Sequence, residues 1–134
     1  MTDEEISAFL AQEQLPETFR LSLERVCKPL AQRAMRLRQH QGRPVCIGLC
    51  GAQGSGKSTI TAATVSMLNA AGQRAVALSL DDFYLSRDAR AWLARKVHPL
   101  MATRGPPGTH DVALACVVLD HLGLPGVTPL PAFD

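Results

Sequence analysis

Several features that mark whole classes of protein are missing from this sequence. No stretch approaches the roughly 20 apolar residues that cross a bilayer. The opening Met1-Thr2-Asp3-Glu4-Glu5 is acidic and is followed by no apolar run of signal-peptide length. Neither export nor a membrane partner is therefore expected, and the cytoplasm is the default compartment. The four cysteines, Cys27, Cys46, Cys50 and Cys116, show no C-x-x-C spacing, which argues against a zinc site or a disulfide framework. All four read as small core residues, Cys46 and Cys50 from within an apolar run. There is little excess charge: 14 Lys and Arg against 12 Asp and Glu leave a formal charge of +2 and no basic stripe, which argues against nucleic acid as a partner. The densest basic stretch, Arg33, Arg36 and Arg38, falls at helical spacing beside Ala31, Ala34 and Leu37 and reads as the solvated face of an amphipathic helix. No internal repeat is present.

What remains is a globular composition, 46% hydrophobic and 19% charged over 134 residues, which fits one domain. Thr2 and Glu5 fit a capping box ahead of Ile6, Phe9 and Leu10, predicting a helix to about Gln14 that Leu15-Pro16 ends. Over 17–39, Phe19, Leu23, Val26, Cys27, Leu30, Ala34 and Leu37 form one apolar stripe, with Pro29 a kink or break. After Gly42 and Pro44 the pattern changes to Val45-Cys46-Ile47-Gly48-Leu49-Cys50, a continuous run of the kind found in buried parallel strands. A helix is predicted over 58–71, stopped by Gly72, and a second apolar strand over 74–80. Strand, loop, helix and strand make a βαβ unit. Further helices are predicted over 87–97, with Trp92, Leu93, Lys96 and Val97 on one side, and over 111–122.

Between the first strand and its helix, Gly51-Ala52-Gln53-Gly54-Ser55-Gly56-Lys57-Ser58 matches G-x-x-x-x-G-K-[ST] in full. The glycines let the backbone curl so that successive N–H groups point at phosphate oxygens, and the helix adds its positive N-terminal end. Lys57 suits the β- and γ-phosphates, the Ser58 hydroxyl suits Mg²⁺, and Thr59 completes the nucleotide-binding run. By typical residue usage such a match arises by chance in roughly half a per cent of chains this long.

Asp81-Asp82 directly follows the second strand, and ligands of open α/β sheets bind at the carboxyl ends of strands. An aspartate there can serve as the base for an attacking hydroxyl or as an oxygen near Mg²⁺, or it can cap the next segment.

The loop at 51–58 together with Leu78-Ser79-Leu80-Asp81-Asp82-Phe83-Tyr84-Leu85 resembles the P-loop kinases of small metabolites, among them uridine kinase, phosphoribulokinase and pantothenate kinase, and most of all the D-glycerate 3-kinase group. Arg104-Gly105-Pro106-Pro107-Gly108-Thr109-His110-Asp111 is similar to that group's R-G-x-P-G-[ST]-H-D segment, and Leu130-Pro131-Ala132-Phe133-Asp134 resembles the start of its P-x-[YF]-D-K stretch. The resemblance implies ATP-dependent, Mg²⁺-assisted phosphorylation of a hydroxyl on a small acid. It makes Asp81 and Lys57 catalytic, gives Asp81 and Ser58 to the metal, and places Asp82, Tyr84, Arg104 and His110 near the acceptor. Arginine can hold a carboxylate through two parallel hydrogen bonds, as glycerate would require. His110 is equally readable as a helix-entry residue bonded locally beside Asp111.

The expected fold is thus α/β, a P-loop NTPase βαβ core over 43–134 behind a helical preface over 1–42. Only two strands are legible, whereas sheets usually have about four to six, so an incomplete sheet is expected. Members of the resembled group are longer, with the pattern continuing in a Lys and then in an acidic third strand between the two seen here. The chain accordingly reads as the N-terminal part of such a kinase, with weak or no activity by itself. A kinase for a nucleoside, a sugar phosphate or pantothenate, and a silent nucleotide-binding remnant, stay open as alternatives.

Overall fold

A computed structural model describes residues 1–132; the Phe133-Asp134 end of the last resemblance lies outside the described residues. The chain divides into two compact units, Met1–Ala77 and Leu78–Asp134.

In the first unit α1 spans Asp3–Gln12. The predicted capping box is formed: the Thr2 N–H donates to Glu5 Oε2 at 2.6 Å and the Glu5 N–H to Thr2 Oγ1 at 3.2 Å. The helix stops where Gln14 turns left-handed at φ 52° and the Leu15 N–H donates back to the Leu10 carbonyl at 2.8 Å. A 3₁₀ turn, Glu17–Phe19, then leads into α2, Arg20–Ser22, a π-helical turn, Leu23–Cys27, and α3, Lys28–Gln41. Pro29 therefore neither breaks nor ends the helix. It has no N–H for the carbonyl of Arg25, and that carbonyl falls in the widened turn, where the Lys28 N–H reaches five residues back to Leu23. Gly42, left-handed at φ 65°, closes α3.

The helix α4 spans Lys57–Ala70. Ala63 on α4 packs with Phe9 and Leu10 of α1 and with Leu23 and Cys27 of the π turn, and Ile60 and Met67 flank this core. Leu23 is 1% exposed, a burial that contributes about 1.5–3 kcal/mol. At the far end of α4, Gly72 is left-handed at φ 74° as expected, and the Asn69 amide grips Ala75, accepting from its N–H at 2.9 Å and donating to its carbonyl at 3.2 Å.

The sheet is not seen: among the described residues neither predicted strand is paired, and no backbone hydrogen bond ties 45–50 to a neighbour. Of the four cysteines expected in the core only Cys27 is buried; Cys46, Cys50 and Cys116 are exposed, as are Ile47, Leu49 and Val76. The reason is non-local. A parallel strand becomes regular and buried only when other strands take up its edges and helices cover its faces.

In the second unit a 3₁₀ turn, Leu80–Phe83, begins at Ser79, whose Oγ accepts from the Asp81 N–H at 3.2 Å. The helix α5 spans Arg87–Lys96 behind the cap Ser86 and packs on a 3₁₀ turn, Pro99–Ala102. The helix α6 spans Val112–Leu122, with Asp111 Oδ1 accepting from the Leu114 N–H at 2.9 Å. The face predicted for α5 is corrected: Trp92 and Val97 are exposed, and Arg90 is the buried residue. The Arg90 Nη1 donates to the Leu85 carbonyl at 3.2 Å, so the guanidinium is turned inward. Among the described residues no helix is long and apolar enough to cross a membrane.

Candidate functional sites

The loop of the first unit curls through left-handed glycines ahead of α4. Gly54 and Gly56 are left-handed, at φ 74° and 82°, a conformation costly for any residue with a Cβ. Gly51 answers a different demand, since a Cβ there would lie 3.0 Å from Ser55 Oγ and 3.5 Å from Lys57 Cγ. Gly56 caps α4 without any side-chain acceptor, and the first turn of α4 carries no acidic residue. Its leading N–H groups therefore point out of the helix towards the loop, where an anion is favoured. Lys57 is half-buried and its Nζ donates to the Ala52 carbonyl at 2.7 Å, so the ammonium lies across the loop it belongs to. Ser58 is exposed one residue into α4, Thr59 is half-buried beside it, and Ala52, Gln53 and Ser55 are exposed on the loop.

These residues fit a nucleotide and Mg²⁺. Among the described residues no group of three or more His, Cys, Asp or Glu could hold a metal. Of the two residues expected to hold Mg²⁺, Ser58 is exposed in the first unit and Asp81 is exposed in the second.

In the second unit the expected acceptor residues converge. Asp82, Tyr84 and Arg104 line one cavity of about 550 Å³. The His110 ring stacks on Tyr84, with centroids 4.1 Å apart and planes at 25°. That stack is fixed by the main chain, since Tyr84 and His110 form an antiparallel bridge, with Leu85 N–H donating to Thr109 O at 2.9 Å and Asp111 N–H to Phe83 O at 2.7 Å. Thr109 is fully buried, and its hydroxyl donates to the Pro106 carbonyl at 2.7 Å, which holds the turn that carries Arg104 and His110. His110 is thus held at the entry to α6 by its bridge and stack with Tyr84. Asp81 is exposed, and its backbone belongs to the 3₁₀ turn rather than to the end of a strand.

Sequence reasoning missed Arg87 and Arg90, which line the same cavity as Asp82 and Arg104. The available signal was the spacing after the Ser86 cap, which puts both arginines on one face of a new helix. The burial of Arg90 left no trace in composition. The Cys27 thiol is pushed up by burial, against the weaker, lowering effects of a hydrogen bond with Thr64 and one with its own backbone.

The model of the family described as methylmalonyl Co-A mutase-associated GTPase MeaB matches residues 21–84, which include the whole glycine-rich loop. Over 82 residues the chain is 43% identical to the uncharacterized kinase mug58 of Schizosaccharomyces pombe, a match covering 60% of this chain and 30% of that protein. It is 35% identical over 82 residues to the chloroplastic D-glycerate 3-kinase of Arabidopsis thaliana, covering 59% of this chain and 18% of that protein. The chain thus spans less than a third of either relative's length. No solved structure matches significantly. Taken with the loop geometry, these similarities support a protein of the P-loop kinase or NTPase kind.

Proposed function

We propose that the chain is the phosphate-binding part of an ATP-dependent kinase that transfers the γ-phosphate to a hydroxyl of a small organic acid, glycerate before others. The observation that carries this reading is the complete motif at 51–58, with Gly54 and Gly56 left-handed at the uncapped N-terminus of a 14-residue helix. Residues 43–134 form the kinase part and 1–42 its helical preface. The backbone N–H groups of 51–59 hold the phosphates, Lys57 leaves the Ala52 carbonyl to reach the β- and γ-oxygens, and Ser58 gives its hydroxyl to Mg²⁺. Bound Mg²⁺ would supply charge neutralisation on the phosphate oxygens. Asp81 takes the proton of the acceptor hydroxyl and Asp82, Tyr84, Arg104 and His110 orient the acid. Two relatives with kinase in their names support the reaction class, and the Arabidopsis one supports glycerate as the acceptor.

The match to a GTPase family favours a second reading, an NTPase that passes the phosphate to water. A panel of D-glycerate, a nucleoside, a sugar phosphate and pantothenate, run with ATP and with GTP, separates the two. Phosphorylated glycerate from ATP is expected; acceptor-independent release of phosphate from GTP, with no phosphorylated product, would overturn the proposal.

A further inference from the structure

The helical preface holds none of the loop's chemistry, yet it is what α4 rests against. Ile60, Ala63, Thr64 and Met67 fall at i, i+3, i+4 and i+7 on α4, one face of the helix, and this face meets Leu23 and Cys27. Leu23 and Cys27 are the first and last residues of the π turn, and both are buried. The Cys27 thiol donates to the Ile60 carbonyl, sulfur to oxygen 4.0 Å, and the Thr64 hydroxyl donates to the same oxygen at 2.7 Å. One turn earlier the Ile60 N–H donates to the Gly56 carbonyl at 2.9 Å. Ile60 thus joins the π turn to the last glycine of the loop.

The loop's own ties are slight by comparison. The Ser55 N–H donates to the Ala52 carbonyl at 3.2 Å, and the Lys57 Nζ bond to that carbonyl is one that Lys57 gives up on reaching a phosphate. Since no side chain caps α4, the aim of its leading N–H groups is the direction of the helix itself. A displacement of about 1 Å is costly for donors that must meet an anion at a fixed place. The π turn is a rare element, found mostly as a single wide turn within an α-helix and often at functional sites. Beyond it the buried residues of α3 are the small Ala31 and Ala34, and α3 also packs on α4.

We propose that the π turn is the backstop of the phosphate loop, with Cys27 and Leu23 as positioning residues. Through Ile60 they fix where α4 begins and where its N–H groups point, so nucleotide affinity depends on the preface. The inference deepens the phosphate-binding reading of 51–58 and rests on it, and it is independent of the acceptor.

The test is calorimetric titration of the full chain with MgATP and with inorganic triphosphate, which carries the phosphates without the nucleoside. Cys27→Ala and Leu23→Ala should each weaken both ligands by the same factor, about two- to tenfold, at a temperature where circular dichroism shows the variants folded. Cys27→Ser, which keeps a donor for the Ile60 carbonyl, should recover most of that loss. Thr2→Ala removes the exposed capping box at the start of the preface and serves as the control: its unfolding midpoint should fall while both affinities stay at the wild-type value. Should Leu23→Ala fail to fold, the two Cys27 variants carry the test alone. Unchanged affinities in folded Cys27→Ala and Leu23→Ala, an equal loss in Thr2→Ala, or a Cys27→Ser variant no better than Cys27→Ala overturns the proposal. Wild-type protein that binds neither ligand overturns it together with the reading of the loop. Phosphoryl transfer measured in parallel keeps it distinct from the kinase reading. Affinity that depends on Cys27, without transfer to any acceptor, retains the backstop and removes the kinase; transfer to glycerate with affinity indifferent to Cys27 and Leu23 does the reverse.

Discussion

The rings of Tyr84 and His110 lie face to face, 4.1 Å between centroids, although 25 residues lie between them in sequence. The stack and the main-chain bridge beneath it join the turn that carries Asp82 to the turn that carries Arg104.

His110→Ala should therefore destabilise the second unit by about 0.5–1.5 kcal/mol, the usual contribution of an aromatic pair. It should weaken acceptor binding and leave nucleotide affinity unchanged, whereas His110→Phe should preserve both. Urea unfolding alongside separate titrations of ATP and D-glycerate checks this. Loss of ATP binding in His110→Ala would contradict a role confined to the acceptor.

Two glycines of the loop should respond differently to a methyl group. Gly56→Ala forces a Cβ into φ 82°, which costs about 1–2 kcal/mol and disturbs the first turn of α4. Gly51→Ala meets chiefly the Ser55 hydroxyl at 3.0 Å, a side chain able to rotate away, so its effect on stability should be smaller. Both should weaken ATP binding by occupying the cradle. Unfolding midpoints and a fluorescent-nucleotide titration give the comparison.

Asp81→Asn should lower kcat about 10²- to 10⁴-fold, the range for loss of a positioned base, with ATP affinity unchanged. Asp82→Asn should act mainly through a raised KM for the acceptor. Equal effects of both changes on ATP affinity alone would show that the pair serves the nucleotide and not the hydroxyl.

Thiol chemistry offers a check on the first unit. Cys46, Cys50 and Cys116 are exposed and should react quickly with a disulfide reagent, while Cys27, fully buried between α1 and α4, should react only on unfolding. Burial raises the Cys27 thiol above its ordinary value of 9.0, so folding disfavours its thiolate. Below pH 9 both states are protonated and the contribution to stability is fully present; it is lost as pH rises from 9 through the raised folded value. Thermal midpoints should fall over that alkaline range, less steeply in Cys27→Ala.

The helices were legible in the sequence because their signals are local. Thr2 with Glu5, Ser86, Asp111 and Gly72 bound their helices within one or two residues of the expected ends, each by a hydrogen bond or a left-handed turn spanning a few positions. The glycine-rich loop was legible for the same reason. The strands at 45–50 and 74–80 were read from apolarity alone, which says that a segment seeks burial but not which edge will receive it. The break offered at Pro29 does not occur because the π turn before it lies in geometry and not in residue type. Arg90 was passed over because arginine is so often solvated that its burial can be recognised only once Leu85 and Tyr84 are placed around it.

The grip of Asn69 on Ala75 limits how the segment after it can join a sheet. In an extended strand the N–H and carbonyl of one residue point to the same edge, and alternate residues share that edge. Asn69 consumes both groups of Ala75, and the Ser79 carbonyl is taken by the Asp82 N–H at 3.2 Å. The edge shared by Ala75, Ala77 and Ser79 is thus closed at both ends, and only Ala77 keeps both groups for a ladder. The opposite edge runs through Val76 and Leu78 and ends where Leu80 enters the 3₁₀ turn. A strand formed here is therefore short, its ladder bounded by Ala75 at one end and by the 3₁₀ turn at the other.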